Sequence, residues 1–140
     1  FNNKGLALYQ QRNYADALRF FTKAIKRRAN DPVYHNHKGH VFYKQGSYAE
    51  AIECYTEAIR LNPLNADYHN HKGNAFYRQK DYVNAVICYT EAISLNPNNA
   101  EYYYSKGLAL SAQGDFEEAT ANYIEAARLR SNDQSYLLKK

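Results

Sequence analysis

A chain of 140 residues that is 45% hydrophobic and 23% charged carries too much apolar content for a disordered segment and has the make-up of a folded soluble protein. Its apolar runs are short, and none approaches the ~20 residues that a membrane span needs. A net charge of +4 with a sequence pI near 9.0 only touches the range of nucleic-acid binders. The sequence contains no methionine and Phe1 opens inside a repeating pattern with no leader-like stretch, so a piece of a longer protein is expected.

One dipeptide, Lys-Gly, recurs at 4–5, 38–39, 72–73 and 106–107, each time 34 residues after the last. Around the two central copies the match widens to near-duplicate text: YHNHKGHVFYKQGSYAEAIECYTEAIRLNP from Tyr34 and YHNHKGNAFYRQKDYVNAVICYTEAISLNP from Tyr68. A period of about 20–50 residues marks a stacked array, in which each unit packs on its neighbours and no single central core exists. The expected units are 1–31 (cut short at its start), 32–65, 66–99 and 100–133, with 134–140 beginning a further or capping helix.

Unit one opens inside a helix and passes into a second one that carries Ala17 and Ala24. In unit two, Asp31 stands where an N-cap belongs and Pro32 at the favoured first helical position. The pattern predicts a helix over Tyr34–Gln45, a Gln-Gly-Ser turn at 45–47 and a second helix over Tyr48–Leu61. Asn62-Pro63 stops it, because the residue before a proline is pushed out of the helical region. Unit three repeats the plan: Asn65 as cap, helices over Tyr68–Gln79 and Tyr82–Leu95, a Gln-Lys-Asp turn at 79–81 and a stop at Asn96-Pro97. Unit four has Asn99 as cap, a helix over Tyr102–Gln113, a Gln-Gly-Asp turn at 113–115 and a second helix; Ser131 replaces the closing proline, and Asp133 stands as cap of the last segment. Cys54 and Cys88 are also 34 apart, on neighbouring helices whose axes lie about 8–10 Å apart, farther than the ~7 Å that a disulfide spans between Cα atoms. They read as reduced packing residues, which favours a cytoplasmic or nuclear setting.

Small residues explain how each hairpin closes. Gly39, Gly73 and Gly107 sit inside helices, where glycine costs about 1 kcal/mol relative to alanine. Ala51 and Ala58, Ala85 and Ala92, and Ala119 and Ala126 lie seven apart on the partner helices, so small faces meet and the backbones approach. The set Gly39, Phe42, Tyr48, Ala51, Tyr55, Ala58 and Pro63 recurs as Gly73, Phe76, Tyr82, Ala85, Tyr89, Ala92 and Pro97, and largely as Gly107, Leu110, Phe116, Ala119, Tyr123 and Ala126. This pattern closely resembles the tetratricopeptide repeat (TPR) family over nearly the whole chain. The resemblance implies an all-α, right-handed superhelical solenoid of helix-turn-helix hairpins that acts as a protein-interaction scaffold, without enzyme activity or cofactor.

It also implies that the first helices line a concave groove. Carried over by position, Asn2, Asn3, Leu6 and Tyr9 would face it in unit one, followed by Asn36, His37, His40, Tyr43 and Lys44, then Asn70, His71, Asn74, Tyr77 and Arg78, and finally Tyr104 with Glu101, Ser105, Leu108 and Ser111 in unit four. Amide and phenol groups of this kind can hydrogen-bond both N–H and C=O of an extended peptide or helical segment. Some family members grip the terminal carboxylate of chaperones with lysine, arginine and asparagine. The matching places hold Asn2, Leu6, His37, Asp67 and His71, or one unit later Asn36, His40, His71, Glu101 and Ser105, so the cations are missing and a chaperone tail is not the expected partner.

Two other uses compete with the groove. An architectural spacer in a large assembly would use the convex face and the ends. Residues 1–31 hold seven Lys/Arg against two Asp/Glu, and Arg19, Lys23, Lys26, Arg27 and Arg28 form a basic patch that an acidic partner or nucleic acid could meet. A solvated helix face with cations near its C-terminus explains that patch at least as well, which argues against nucleic acid. His35 and His37 point to nearly opposite sides of one helix, and no carboxylate or thiol is placed to complete a site with His37, His40 and His71, so no metal is expected. No nucleophile, base and orienting residue are spaced as a catalytic set.

Overall fold

The computed structural model describes residues 13–28 and 30–138. Within them lie seven helices: α1 (Tyr14–Arg27), α2 (Pro32–Lys44), α3 (Tyr48–Leu61), α4 (Ala66–Arg78), α5 (Tyr82–Leu95), α6 (Ala100–Gln113) and α7 (Phe116–Leu138). The caps set where the first helices begin. Asp31 accepts from the Val33 N–H at 3.0 Å, Asn65 from the Asp67 N–H at 3.0 Å and Asn99 from the Glu101 N–H at 2.9 Å. A helix starts at the residue after its cap, so α2, α4 and α6 begin at residues 32, 66 and 100, earlier than the apolar pattern alone predicts.

The hairpin turns share one hydrogen-bond scheme. The Ser47 N–H reaches back to the Phe42 carbonyl at 2.8 Å and the Gly46 N–H to Tyr43 at 3.0 Å; residues 80–81 and 114–115 repeat this pairing. The scheme needs one left-handed residue per turn, and Gly46 (φ 81°) and Gly114 (φ 90°) supply it without strain. Lys80 takes the same conformation at φ 65°, which costs a side-chain-bearing residue roughly 1 kcal/mol. Lys80→Gly is therefore expected to raise the thermal midpoint by about 2–4 °C in a melting experiment; an unchanged or lowered midpoint would show that the turn is unstrained.

The second helices of the two central units stop where proline follows. The Asn62 and Asn96 N–H groups make the last helical bonds, to Ala58 and Ala92 at 2.9 Å each, before Pro63 and Pro97. Unit four departs from the expectation. Asp133 does not open a new helix at 134; α7 runs unbroken from Phe116 to Leu138. Ser131 keeps the backbone N–H that proline lacks and so permits the helix to continue, although α1, which also has no closing proline, ends at Arg27.

Within each hairpin the close approach is tight. A Cβ on Gly39 would lie 2.6 Å from Cε1 of Tyr55, and one on Gly73 would lie 2.8 Å from Cε1 of Tyr89. Both rings are buried, as are the alanines one turn away on α3 and α5. The apolar core is a string of small clusters, several straddling a border between hairpins: Ala75 of α4 packs with Ala51 and Tyr55 of α3, and Ala109 of α6 with Ala85 and Tyr89 of α5. Lys38 and Lys72 lay their stems along the surface, with the ammonium groups 6.0 and 5.9 Å from the Phe42 and Phe76 ring centres. Substantial packing joins consecutive helices, so the architecture is an all-α solenoid of helix-turn-helix hairpins.

Candidate functional site

Because α2, α4 and α6 open successive hairpins, residues 34 apart on them take equivalent places. The amides, imidazoles and phenols expected on one groove face divide into two groups, one centred on the buried Asn36 and Asn70 and one nearer the surface.

The buried group lies where α2, α3 and α4 meet. Asn36 is 8% exposed and Asn70 3% exposed, so neither presents its amide on an open face. Both were expected at the groove centre, but the sequence pattern marks a helix side and cannot show that the next helix covers it. Asn36 Oδ1 accepts from His71 Nδ1 at 3.1 Å, and Asn36 Nδ2 donates to His40 Nε2 at 3.4 Å. With Nε2 accepting, a neutral His40 carries its proton on Nδ1 and donates to the Tyr55 hydroxyl at 2.7 Å. The His40 and His71 ring centres are 4.3 Å apart at 70°, edge to face. His37 packs against Phe21 of α1, ring centres 5.4 Å apart. One hairpin later Asn74 takes the place of His40 and accepts from the Tyr89 hydroxyl at 2.6 Å. Tyr102 donates to the Asp67 carboxylate, tying α6 to α4.

Burial governs the electrostatics. It pushes the His40 imidazolium down to about 3, assisted by repulsion from His71, His37 and Lys44. Burial also lowers His37 and His71, against the pull of Asp31 and Asp67 respectively. The free thiols of Cys54 and Cys88 are pushed up to about 11 by burial, which leaves them protonated and unreactive at neutral pH. Among the described residues no three His, Cys, Asp or Glu side chains converge to hold a metal ion, and no helix is long and apolar enough to cross a membrane.

The group nearer the surface forms an edge along the first helices, with Tyr43 and Tyr77 half-buried and Lys44, Arg78 and Tyr104 exposed. Arg78 Nε donates to the Tyr43 hydroxyl at 3.2 Å, joining α2 to α4, and its guanidinium lies 5.9 Å from the Tyr43 ring centre. Tyr43 packs edge-on to Tyr48, and Tyr77 to Tyr82, at 5.4 Å in each case. Lys44 is exposed at the end of α2. Tyr104 on α6 is 42% exposed; the Tyr123 ring lies 5.7 Å away and the Arg130 guanidinium 5.3 Å from its centre. Beside it is a cavity of about 460 Å³, lined by Tyr104, Tyr123, Ala126, Ala127, Arg130 and Ser131. Tyr123 and Arg130 were not among the expected site residues. Tyr123 was legible only as the packing equivalent of Tyr55 and Tyr89, and the signal for Arg130 was Ser131, since a helix without its closing proline carries Arg130 past Tyr104.

Asn3 and Tyr9, with Asn2 and Leu6, lie outside the described residues. Arg19, Lys23, Lys26, Arg27 and Arg28 are all exposed on or just after α1, and Arg19 pairs with Asp16 one turn earlier.

Comparison with known proteins agrees with this geometry. Residues 39–80 and 73–114 match the family described as TPR repeat, and residues 1–31 and 100–133 match the tetratricopeptide repeat. No curated protein sequence matches the chain. Among solved structures, one of MamA superposes with a TM-score of 0.90 at 22% identity, covering 94% of this chain and 77% of that one. The first TPR of Spaghetti (RPAP3), bound to the HSP90 peptide SRMEEVD, is 30% identical with a TM-score of 0.71, covering 73% of this chain and 81% of that one. The first TPR domain of human RPAP3 is 31% identical with a TM-score of 0.69, covering 72% and 80%. Repeats in register along the sequence and hairpins stacked in register in space have the same explanation: the chain belongs to the tetratricopeptide repeat family.

Proposed function

We propose that this array is a protein-interaction scaffold, built from units 32–65, 66–99 and 100–133 after a first unit, and that it holds an extended peptide along the edge shared by α2, α4 and α6. The observation that carries this reading is the Tyr43–Arg78 pair, which bridges two units and sets an exposed guanidinium over a half-buried phenol. Tyr77, Lys44 and Tyr104 extend that edge, and Tyr with Arg are the residue types that most often anchor interfaces. The RPAP3 domain solved with a peptide supports a peptide as the class of partner. An acidic chaperone tail fits poorly, because Asp67 and Glu101 stand where such a tail needs cations.

A partner selected from a peptide library tests this reading. Tyr43→Ala, Tyr77→Ala and Arg78→Ala together are expected to weaken binding about 10- to 100-fold while leaving the helical circular-dichroism signal intact. Unchanged affinity in the folded triple variant would reject the edge. The spacer reading has one observation of its own: Val83 and Ile87, four apart on α5, are each 59% exposed. Binding that survives the triple change and is lost on Ile87→Lys would transfer the contact to that face. Docking of an anion on Lys23, Lys26, Arg27 and Arg28 would instead weaken steeply with added salt.

A further inference from the structure

Each hairpin turns one face toward the next, and that face is covered at two joints and open at the third. Asn36 with Tyr55, and Asn70 with Tyr89, are buried where a following first helix packs. Their counterparts on α6 and α7, Tyr104 and Tyr123, are exposed and half-buried respectively. Two more residues of the third face are changed. Ala127 stands where units two and three have Ile59 and Ile93, and Arg130 stands where they have Asn62 and Asn96. Ala127 lines the cavity of about 460 Å³ beside the two tyrosine rings, a volume in the range of ligand pockets. Arg130 lines it too, with its guanidinium 5.3 Å from the Tyr104 ring centre. Arg19, Arg60 and Arg128 each pair with an acid three residues earlier on the same helix. Arg130 has Ala127 and Ala126 three and four residues before it, so its own helix supplies no such partner. Nor does α7 turn back over this face; it runs on to Leu138, about 10 Å beyond Ser131.

We propose that the face between α6 and α7 docks an acidic amphipathic helix of a partner chain, with a bulky apolar side chain in the cavity and an Asp or Glu one turn away on Arg130. A helix is the cover that both interior joints use: α4 packs on Ala51 and Tyr55, and α6 on Ala85 and Tyr89. The apolar side chain enters where Ala127 leaves out the bulk of an isoleucine. The guanidinium sets the sign of the partner, since an arginine–carboxylate pair beside an apolar anchor is a strong interface contact. This surface goes beyond the edge carried by Tyr43 and Arg78 and shares only Tyr104 with it.

Indole-3-propionate, a flat apolar ring with a carboxylate, is the first probe, titrated into the isotopically labelled protein while the Tyr104 and Ala127 backbone amides are followed by NMR. Saturable shifts at both, with millimolar affinity, are the expected result, and the uncharged indole-3-propionamide should bind several-fold more weakly. Ala127→Ile installs the residue that the other two units carry and should abolish the shifts. Arg130→Gln should erase the preference for the acid over the amide. No saturable shift in the unaltered protein, an equal titration in folded Ala127→Ile, or an acid preference that survives Arg130→Gln overturns the site. A stapled helical peptide that presents one Trp and, one turn later, one Glu should displace indole-3-propionate. Exchanging that Glu for Lys, or Ala127→Ile in the protein, should cost it about tenfold in affinity. A helix that fails to displace a bound probe overturns the helical occupant. The edge reading fails separately, through the Tyr43, Tyr77 and Arg78 changes, which leave both titrations untouched.

Discussion

Gly73→Leu is expected to lower the thermal midpoint by roughly 10 °C or more, corresponding to a loss of about 2–4 kcal/mol. The hairpin between α4 and α5 has no room for a side chain: an added Cβ meets Tyr89 Cε1 at 2.8 Å, Tyr89 Cδ1 at 2.9 Å and Cys88 Cβ at 3.2 Å. The Tyr89 ring is buried and its hydroxyl is held by Asn74, so it cannot swing aside without breaking a buried hydrogen bond. Alanine at the same place tests the balance of two effects. It gains about 1 kcal/mol of helix propensity over glycine but meets the same ring, so Gly39→Ala and Gly73→Ala should both be net destabilising. Gly107→Ala should be milder. Its Cβ would lie 2.6 Å from Tyr123 Cε1, but that ring is half-buried beside the end cavity and has somewhere to go. Equal midpoints for Gly73→Leu and the unaltered protein would refute the close approach, and equal costs at Gly39 and Gly107 would refute the role of the covering hairpin.

Acid should loosen the joint between units two and three. His40, His71 and His37 are held neutral in the fold by burial, whereas an unfolded histidine titrates near pH 6.5. Below that pH the unfolded chain binds more protons than the folded one, so stability falls as pH falls from about 6.5 toward the folded value of about 3 for His40. Asp31 facing His37 and Asp67 facing His71 favour the charged forms, while Lys44 opposes protonation of His40, which makes His40 the main contributor. Each histidine kept neutral costs about 1.4 kcal/mol per pH unit. The thermal midpoint is therefore expected to drop by roughly 5–10 °C between pH 7 and 5. His40→Asn should remove the largest share of that slope while keeping the contact with Tyr55, as Asn74 does with Tyr89 one hairpin later. A midpoint that stays level over this range, or a slope unchanged in His40→Asn, would contradict the neutral, hydrogen-bonded network.

The cell in which this titration matters need not be acidic for the network to be informative. His71, one of the rings that make the joint pH-sensitive, has Ser105 as its counterpart at the next joint. A repeat protein can thus differ from joint to joint while its hairpins stay nearly identical, because the residues between first helices are free of the constraints that fix Gly39, Tyr55 or Ala58.

By itself the sequence determined the period, the hairpins and the proline stops of the two central units. Those features depend on near neighbours along the chain: a cap acts on the N–H two residues on, a proline on the residue before it, and alanines seven apart on the preceding helix of the same hairpin. The recurring glycines were legible too, since a cost repeated every 34 residues points to a packing cause. What only the tertiary structure decided is which face of the first helices stays open. Asn36 and Asn70 lie on the side expected of a groove, yet the adjoining helix covers them, and the open edge belongs to Tyr43, Arg78, Tyr77 and Tyr104. The unbroken α7 and the Arg130–Tyr104 contact were decided there as well. The physical reason is one of range. Helix starts and stops follow from bonds within a few residues, whereas burial and hydrogen bonding of a polar side chain depend on the residue that stands across from it, 34 or 35 positions away.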